Sequence, residues 1–418
     1  MSVVDATSAR PRHLRLVRPA ERARNRARAD ARSRRTVALL LGSTAFLVAS
    51  GIVMVLSSSS VSAFERFGDS FVFVQRQAVY AVIGVLALLA TSKMRYQAWK
   101  RLSVPFLLVT FAMLGFVLHP SAGIEAYGSS RWFQVGPLTV QPSEIAKLAL
   151  VVFAAALLAR KWGTLDDPWH LAIPLLPVGL AMCALVMLQP DLGTTVILAG
   201  TGFLVVFAAG ARLRHLTVAG IVAAAIGAGL VMSADYRRVR FLSFLDPWQD
   251  PQGAGYQLAQ SLYALGSGGW LGVGLGASRQ KWQYVPNAHT DFIFSILGEE
   301  LGLIGEIVVL VAFGTLILAG IKIATRTTDV FGRLLAAGIV SWFGLQALIN
   351  LGAVTGLLPI TGVPLPFVSY GGSSLVVSMA AVGVLVSIAR APARSARSAA
   401  RRGRAPGSRR GAVEAASP

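Results

Sequence analysis

Apolar residues in this chain fall into long unbroken runs rather than into a two-residue alternation. Ten runs, at approximately 36–57, 71–91, 103–119, 143–160, 170–188, 192–210, 215–234, 292–320, 334–356 and 368–389, reach or approach spanning length. A helix crossing a hydrocarbon core needs about 20 such residues. The fifth and sixth runs are separated only by "QPDLG", so nine spans is the alternative count. Cations decide in favour of ten. Lys93, Arg95, Lys100 and Arg101 follow the second run, Arg160 and Lys161 the fourth, Arg212 and Arg214 the sixth, and Lys322, Arg326 and Arg333 the eighth. Basic loops after every even run are the positive-inside pattern, and they put both termini on the cytoplasmic side. The expected fold is therefore an all-α integral membrane protein, a polytopic bundle of about ten transmembrane helices. Two larger connections, 120–142 and 235–291, then lie outside. The second is a long extracytoplasmic loop between spans seven and eight, rich in Trp, Tyr, Gly and Gln, and longer than a packed bundle needs.

Composition agrees with this pattern. Hydrophobic residues make up 54% of the 418 residues, charged residues only 14%, and mean hydropathy is +0.62. Soluble domains carry about 25% charged residues. The net charge of +20 is concentrated at the ends. Residues 1–35 hold 11 Arg against three acids, and residues 390–418 hold 8 Arg against Glu414 alone. Arg-rich tails beside membrane spans suit anionic lipid better than nucleic acid. The expected division is a basic cytoplasmic tail over 1–35, a membrane domain over 36–390 and a second basic tail over 391–418, both tails without fixed structure. Cys183 is the single cysteine, which excludes disulfides and cysteine-based metal sites within one chain. The first apolar run is too long for a cleaved signal peptide and reads as an uncleaved anchor. No glycine-rich phosphate loop and no internal repeat is visible, which disfavours nucleotide chemistry and a transporter of inverted halves.

Several outer segments carry candidate chemistry. In "QPSEIAKL", Pro142 and Ser143 open a helix and Glu144 falls in its first turn, where a carboxylate suits the dipole. Lys147 is three residues on and shares a face with Glu144. The pair is either a buried structural ion pair or a device that points Lys147 at an anionic head group. Arg131 and Trp132 fit an interfacial anchor as well as a ligand. In the long loop, Arg237, Arg238, Arg240, Arg279 and Lys281 are either phosphate partners or solvated charges. The stretch "NAHTDFIFSILGEELG" brings Asn287, His289, Thr290 and Asp291 to the head of the eighth span. Helical steps then put Ser295, Gly298, Glu299, Gly302, Gly305 and Glu306 on the face of Asp291. Such a stripe lets another helix approach or lines a polar crevice. Glu300 points elsewhere and needs its own partner. Glu299 lies about 12 Å deeper than Asp291 at 1.5 Å per residue, which leaves Asp291 as the acid placed for work at the interface. His289 is either a base or a hydrogen-bonding cap. The last outer loop, "TGVPLPFVSYGGSS", cannot be continuous helix and suits a cavity lining or a re-entrant packing element.

Taken together, "RWFQVGPLTVQPSEIAKL", "QPDLGTT", "GYQLAQSLYALGSGGWLGVGLGASRQKWQYVPNAHTDFIFSILGEELG" and "TGVPLPFVSYGGSS" resemble the SEDS family (shape, elongation, division and sporulation). The resemblance covers roughly residues 36–390, and the wording near 281–302 is more like the FtsW branch than the RodA branch. It implies a peptidoglycan glycosyltransferase that polymerises lipid II at the outer face of the cytoplasmic membrane, at the division septum. The implied partners are a class B penicillin-binding transpeptidase, other division membrane proteins and membrane lipids. By position, the family's catalytic aspartate falls on Asp291. Its Glu–Lys motif falls on Glu144 and Lys147, its "RW" on Arg131 and Trp132, and its loop lysine on Lys281. His289, Thr290, Ser369, Gly371 and Gly372 complete the implied substrate-binding set. Asn287 stands where relatives often carry Glu, which puts an acid role at that position in doubt.

The expected chemistry needs no nucleotide, because the donor sugar arrives on a polyprenyl pyrophosphate. A carboxylate of ordinary pKa, about 4, is ionised at neutral pH and can take the acceptor proton. Lys147, Arg131 and Lys281 would stabilise the departing pyrophosphate. The sequence requires no cofactor, and a divalent cation could share that task. Two other classes stay open at this point, a lipid II flippase and a non-catalytic division scaffold.

Overall fold

The computed structural model describes residues 19–402 except 120–122, 127–128, 137, 163–167, 234, 283 and 287. Helices α1 (Pro19–Phe67), α2 (Val72–Lys93) and α3 (Tyr96–Phe116) come first. Strands β1 (Ile124–Ala126), β2 (Ser129–Val135) and β3 (Leu138–Val140) then form a small antiparallel sheet in that order. Next come α4 (Pro142–Arg160), α5 (Pro168–Met187), α6 (Leu192–Ala208) and α7 (Leu213–Met232). They are followed by α8 (Asp235–Leu245), α9 (Tyr256–Gly268), α10 (Ile293–Arg326), α11 (Val330–Val354) and α12 (Gly372–Arg402).

The ten apolar runs all become helix. Eight of them are long and apolar enough to cross a membrane among the described residues. The two that flank "QPDLG" have shorter apolar stretches, Leu175–Met187 and Leu192–Ala208, so the ten-span count rests on helices of unequal reach. Connection 120–142 carries the sheet, and 235–291 contains α8 and α9. The basic tails are partly helical, because α1 begins at Pro19 and α12 continues to Arg402; residues 1–18 and 403–418 lie outside the described residues.

Both helix termini that bear cations meet at one end of the bundle. There Ser33 Oγ donates to Ala389 O at 2.9 Å, Ser387 Oγ to Met94 O at 2.5 Å, and Arg326 to Thr36 Oγ1 at 3.3 Å. Arg333 also stacks over the Trp162 ring at 4.6 Å. The sheet, α9 and the proline-rich loop after α11 occupy the opposite end. At the centre, α4 buries nearly its whole surface, with Ala146, Ala149 and Ala154–156 letting α3, α6 and α11 come close. By contrast, α7 buries Leu216 alone among its described residues.

Helix α10 is not the continuous rod expected over 292–320. It breaks at Gly302, whose φ of 64° and ψ of −171° are open to glycine but not to other residues. A break at membrane depth exposes backbone groups that lipid cannot satisfy, so protein must do so. The segment after α9 does it. Leu303 N donates to Gly269 O and Ile304 N to Trp270 O, while Val273 N and Gly274 N donate to the carbonyls of Glu299 and Glu300, at 2.9–3.2 Å. Gly272 permits this contact, since a Cβ there would collide with the Glu300 carbonyl. The glycine stripe thus does admit a close neighbour, but that neighbour is α9 and the extended chain behind it.

Candidate active site

A cavity of roughly 1370 Å³ opens at the end of the bundle opposite the cationic loops. Its wall is built from the outer ends of α1 and α2, strand β2, the starts of α4 and α6, the segment before α10 and the loop before α12. Of the residues singled out from sequence, Arg131, Trp132, Glu144, Lys281, His289, Thr290, Asp291, Gly371 and Gly372 line it. Lys147 and Ser369 do not. Asn287 lies outside the described residues.

Asp291 sits just before α10, half-buried, with its carboxylate in the cavity wall. Asn350 on α11 donates to its backbone carbonyl at 2.8 Å. Across from it, Gly362 has φ of +72°, and a Cβ there would come 3.5 Å from Asp291 Oδ2. The proline-rich loop therefore needs glycine at this point for its backbone, and the carboxylate gains the space.

The other two acids of that stretch do different work. Glu299 is buried and accepts from Ser278 Oγ at 2.5 Å, Arg279 N at 2.9 Å and Gln280 N at 3.3 Å. It clamps the loop segment that carries Lys281 into the cavity wall. Glu300 finds its partner on α1, where Ser57 Oγ donates to both carboxylate oxygens at 2.5 and 2.7 Å. Lys281 Nζ lies 3.8 Å from Glu300 Oε1 and donates to Gly276 O at 2.5 Å. Lys281 is 7% exposed and lines the cavity with its ammonium held by these two groups.

Glu144 reaches the cavity from the first turn of α4, where proline at N1 and an acid near the dipole were expected. Lys147 lies behind it, 1% exposed. Its Nζ is 2.8 Å from Glu144 Oε2 and donates to Gln346 Oε1 at 2.8 Å, and it faces the Trp342 ring at 5.3 Å. Of the two readings of this pair, the buried ion pair is the one the geometry favours, with Lys147 lying behind the cavity lining. Arg131 is also committed. Its Nε donates to Gln189 O at 2.9 Å and its terminal nitrogen to Pro190 O at 2.5 Å, which ties β2 to the α5–α6 turn.

His289 is wedged against Phe73 and Tyr370, with ring centroids 4.8 and 5.6 Å apart, and its carbonyl accepts from Tyr370 N at 2.9 Å. Burial, and then the nearby Arg66 charge, lower its pKa to about 4, so the imidazole is neutral and a weak base. Ser369 is buried within the loop. Its Oγ accepts from Leu365 N at 2.8 Å and its carbonyl accepts from Gln77 at 3.3 Å. Gly372 has a packing reason, because a Cβ there would strike the Tyr80 ring. Tyr80 in turn accepts from Thr139 N at 2.8 Å, joining α2, β3 and the start of α12.

Sequence reasoning passed over Arg66, Tyr80, Gln141, Asp191 and Thr361, which also line the cavity. Asp191 was within reach, as it sits in "QPDLGTT". It caps α6, accepting from Thr194 N at 2.9 Å and Thr194 Oγ1 at 2.8 Å. Arg66 gave no local signal, being a lone cation at the end of α1. Among the described residues no cluster of three or more His, Cys, Asp or Glu could hold a metal ion.

The family model described as "Cell cycle protein", for FtsW, RodA and SpoVE proteins, matches residues 37–393. The chain belongs to this family, the SEDS family. Stage V sporulation protein E of Bacillus subtilis is 44% identical over 352 residues, covering 84% of this chain and 96% of the relative. A probable peptidoglycan glycosyltransferase FtsW of Geobacter metallireducens is 43% identical over 338 residues, covering 81% and 90%. Among solved structures, a chain of a peptidoglycan synthase complex that coordinates polymerization and crosslinking is similar with a TM-score of 0.69. It is 32% identical and covers 83% of this chain and 97% of that one. The rod shape determining protein RodA of Thermus thermophilus gives 0.61 at 29% identity, covering 84% and 95%. This SEDS protein therefore shares both the architecture and most of the length of its relatives.

Proposed function

We propose that this protein is a peptidoglycan glycosyltransferase that polymerises lipid II at the outer face of the cytoplasmic membrane during cell division. The carrying observation is a cavity at the end away from the cationic loops, with the Asp291 carboxylate in its wall and Glu144, Arg66 and Arg131 around it, in a chain of this family. In this reading both termini are cytoplasmic and the protein works at the septum with a class B penicillin-binding transpeptidase. One side of the cavity is formed by Val231 on α7 and Phe241 on α8. Because α7 is so little buried, that side borders the bilayer and suits a polyprenyl chain.

The reaction assigned to the site is an inverting substitution. The acceptor GlcNAc 4-hydroxyl forms a bond to C1 of the donor MurNAc as the bond from C1 to the pyrophosphate oxygen breaks. Asp291 takes the hydroxyl proton, and the pyrophosphate leaves as an anion on its lipid. Arg66 and the exposed edge of Arg131 face the charge that develops there. Lys147 acts at one remove, by holding Glu144. A flippase would need polar lining that continues to the cationic end, whereas the lining residues belong to the other end. The test is reconstitution with a cognate transpeptidase in vesicles carrying lipid II, with glycan polymer and lipid translocation measured side by side. Polymer with no translocation supports the proposal; translocation with no polymer overturns it.

A further inference from the structure

Two amides on α11, Gln346 and Asn350, sit one turn apart on the same face and are 0% and 2% exposed. Each makes bonds to two different parts of the site. Asn350 Nδ2 donates to Asp291 O at 2.8 Å and to Val363 O at 2.7 Å. Gln346 Nε2 donates to Pro364 O at 2.9 Å, while its Oε1 accepts from Lys147 Nζ at 2.8 Å and from Trp342 Nε1 at 2.7 Å. Amide orientation is fixed by these partners, since Asn350 nitrogen meets two acceptors and Gln346 oxygen meets two donors.

We infer that Asn350 and Gln346 are positioning residues of the site, joining the Asp291 segment, the Gly362–Pro364 loop and the Glu144–Lys147 pair to one rigid helix. This rests on the reading of Asp291 as the base. The plainer alternative is that the amides merely satisfy loop carbonyls at membrane depth. That alternative explains the bonds to Val363 and Pro364, which are consecutive carbonyls of one loop. It accounts equally for the Asp291 carbonyl, but not for the bond to Lys147, the lysine holding Glu144, nor for one turn of α11 serving all of these groups. Between them the two amides bond to all three segments. A base must be held within about half an ångström of its working place for proton transfer to be efficient. Asp291 precedes α10 rather than lying in it, so helix geometry alone does not fix it.

The test is Asn350→Ala in the full chain with its transpeptidase, assayed on lipid II at least ~15 °C below the measured Tm. The expected result is a kcat lowered about tenfold or more per folded molecule, KM within about twofold of wild type, and a displaced acid limb of the pH–rate profile. A structural role alone would scale the whole profile by the folded fraction and leave its shape unchanged. That superimposable profile, or a kcat within about twofold of wild type, overturns the inference. If Asn350→Ala does not fold, Asn350→Ser, whose hydroxyl can serve one carbonyl but not both, is judged by the same criteria. Gln346→Met, which removes the bonds to both Lys147 and Pro364, is expected to lower kcat in the same way, and a kcat within about twofold of wild type overturns the part assigned to Gln346. Asp291→Asn separates this inference from the reading beneath it. An active Asp291→Asn sinks the base assignment, whereas an inactive one beside an unaffected Asn350→Ala sinks only the positioning role.

Discussion

Lys147 Nζ lies 2.8 Å from Glu144 Oε2 and 2.8 Å from Gln346 Oε1, in a place where none of the three side chains is more than 2% exposed. A lysine so placed lies behind the cavity lining, held by its ion pair. Its charge is balanced by one carboxylate, and the Trp342 face supplies the remaining contact. Of the conspicuous acid–base pair of the fourth span, Glu144 is the partner that lines the cavity.

Removing the lysine should show this in stability. Breaking one side of a buried ion pair costs about 3–5 kcal/mol, because the other charge is left without compensation. Lys147→Ala is expected to lower the unfolding midpoint in detergent by many degrees. The double variant Glu144→Gln, Lys147→Met should recover much of that loss. An equal midpoint for wild type and Lys147→Ala would contradict the buried-pair account.

Glu299 offers a local test. Its carboxylate holds Ser278 Oγ and the amides of Arg279 and Gln280, and bonds to a charged acceptor are worth about 1.5–3 kcal/mol each. Glu299→Ala should raise deuterium exchange across 278–282 by tenfold or more while the rest of α10 stays protected. Glycan synthesis should fall with it, since the loosened segment forms part of the cavity wall. Unchanged exchange there would mean the clamp is not what holds the loop.

His289 makes stability depend on pH. Its folded pKa of about 4 lies below the ordinary 6.5, so the folded protein binds fewer protons than the unfolded chain in that interval. The contribution is complete above about 6.5, shrinks as pH falls, and is lost on passing through about 4. Thermal midpoints measured from pH 7.5 down to 4.5 should fall more steeply for wild type than for His289→Gln. Parallel slopes would refute the assignment.

Much of this was legible in the sequence, for physical reasons. The apolar runs and the alternating basic loops produced the helices and their common end. Pro142, Glu144 and the proline-rich loop announced the start of α4 and the non-helical wall before α12. What could not be read was pairing across the fold. Nothing near Glu300 points to Ser57 on α1, and nothing near Lys147 points to Gln346 on α11. The break in α10 was hidden as well, because "GEELGLIGE" keeps a helical period and only tertiary contact with Gly269–Gly274 makes the kink affordable. The partners of Lys281 were hidden for the same reason, Gly276 lying five residues away and Glu300 nineteen.

The central claim is that Asp291 is the base, and one variant tests it most directly. Asp291→Asn keeps the side chain's shape, the backbone bond to Asn350 and the space left by Gly362, and removes only the proton acceptor. Purified with its transpeptidase and supplied with lipid II, the variant is expected to keep the wild-type unfolding midpoint and partner binding while making no detectable glycan polymer. Polymer formation at the wild-type rate would contradict the account.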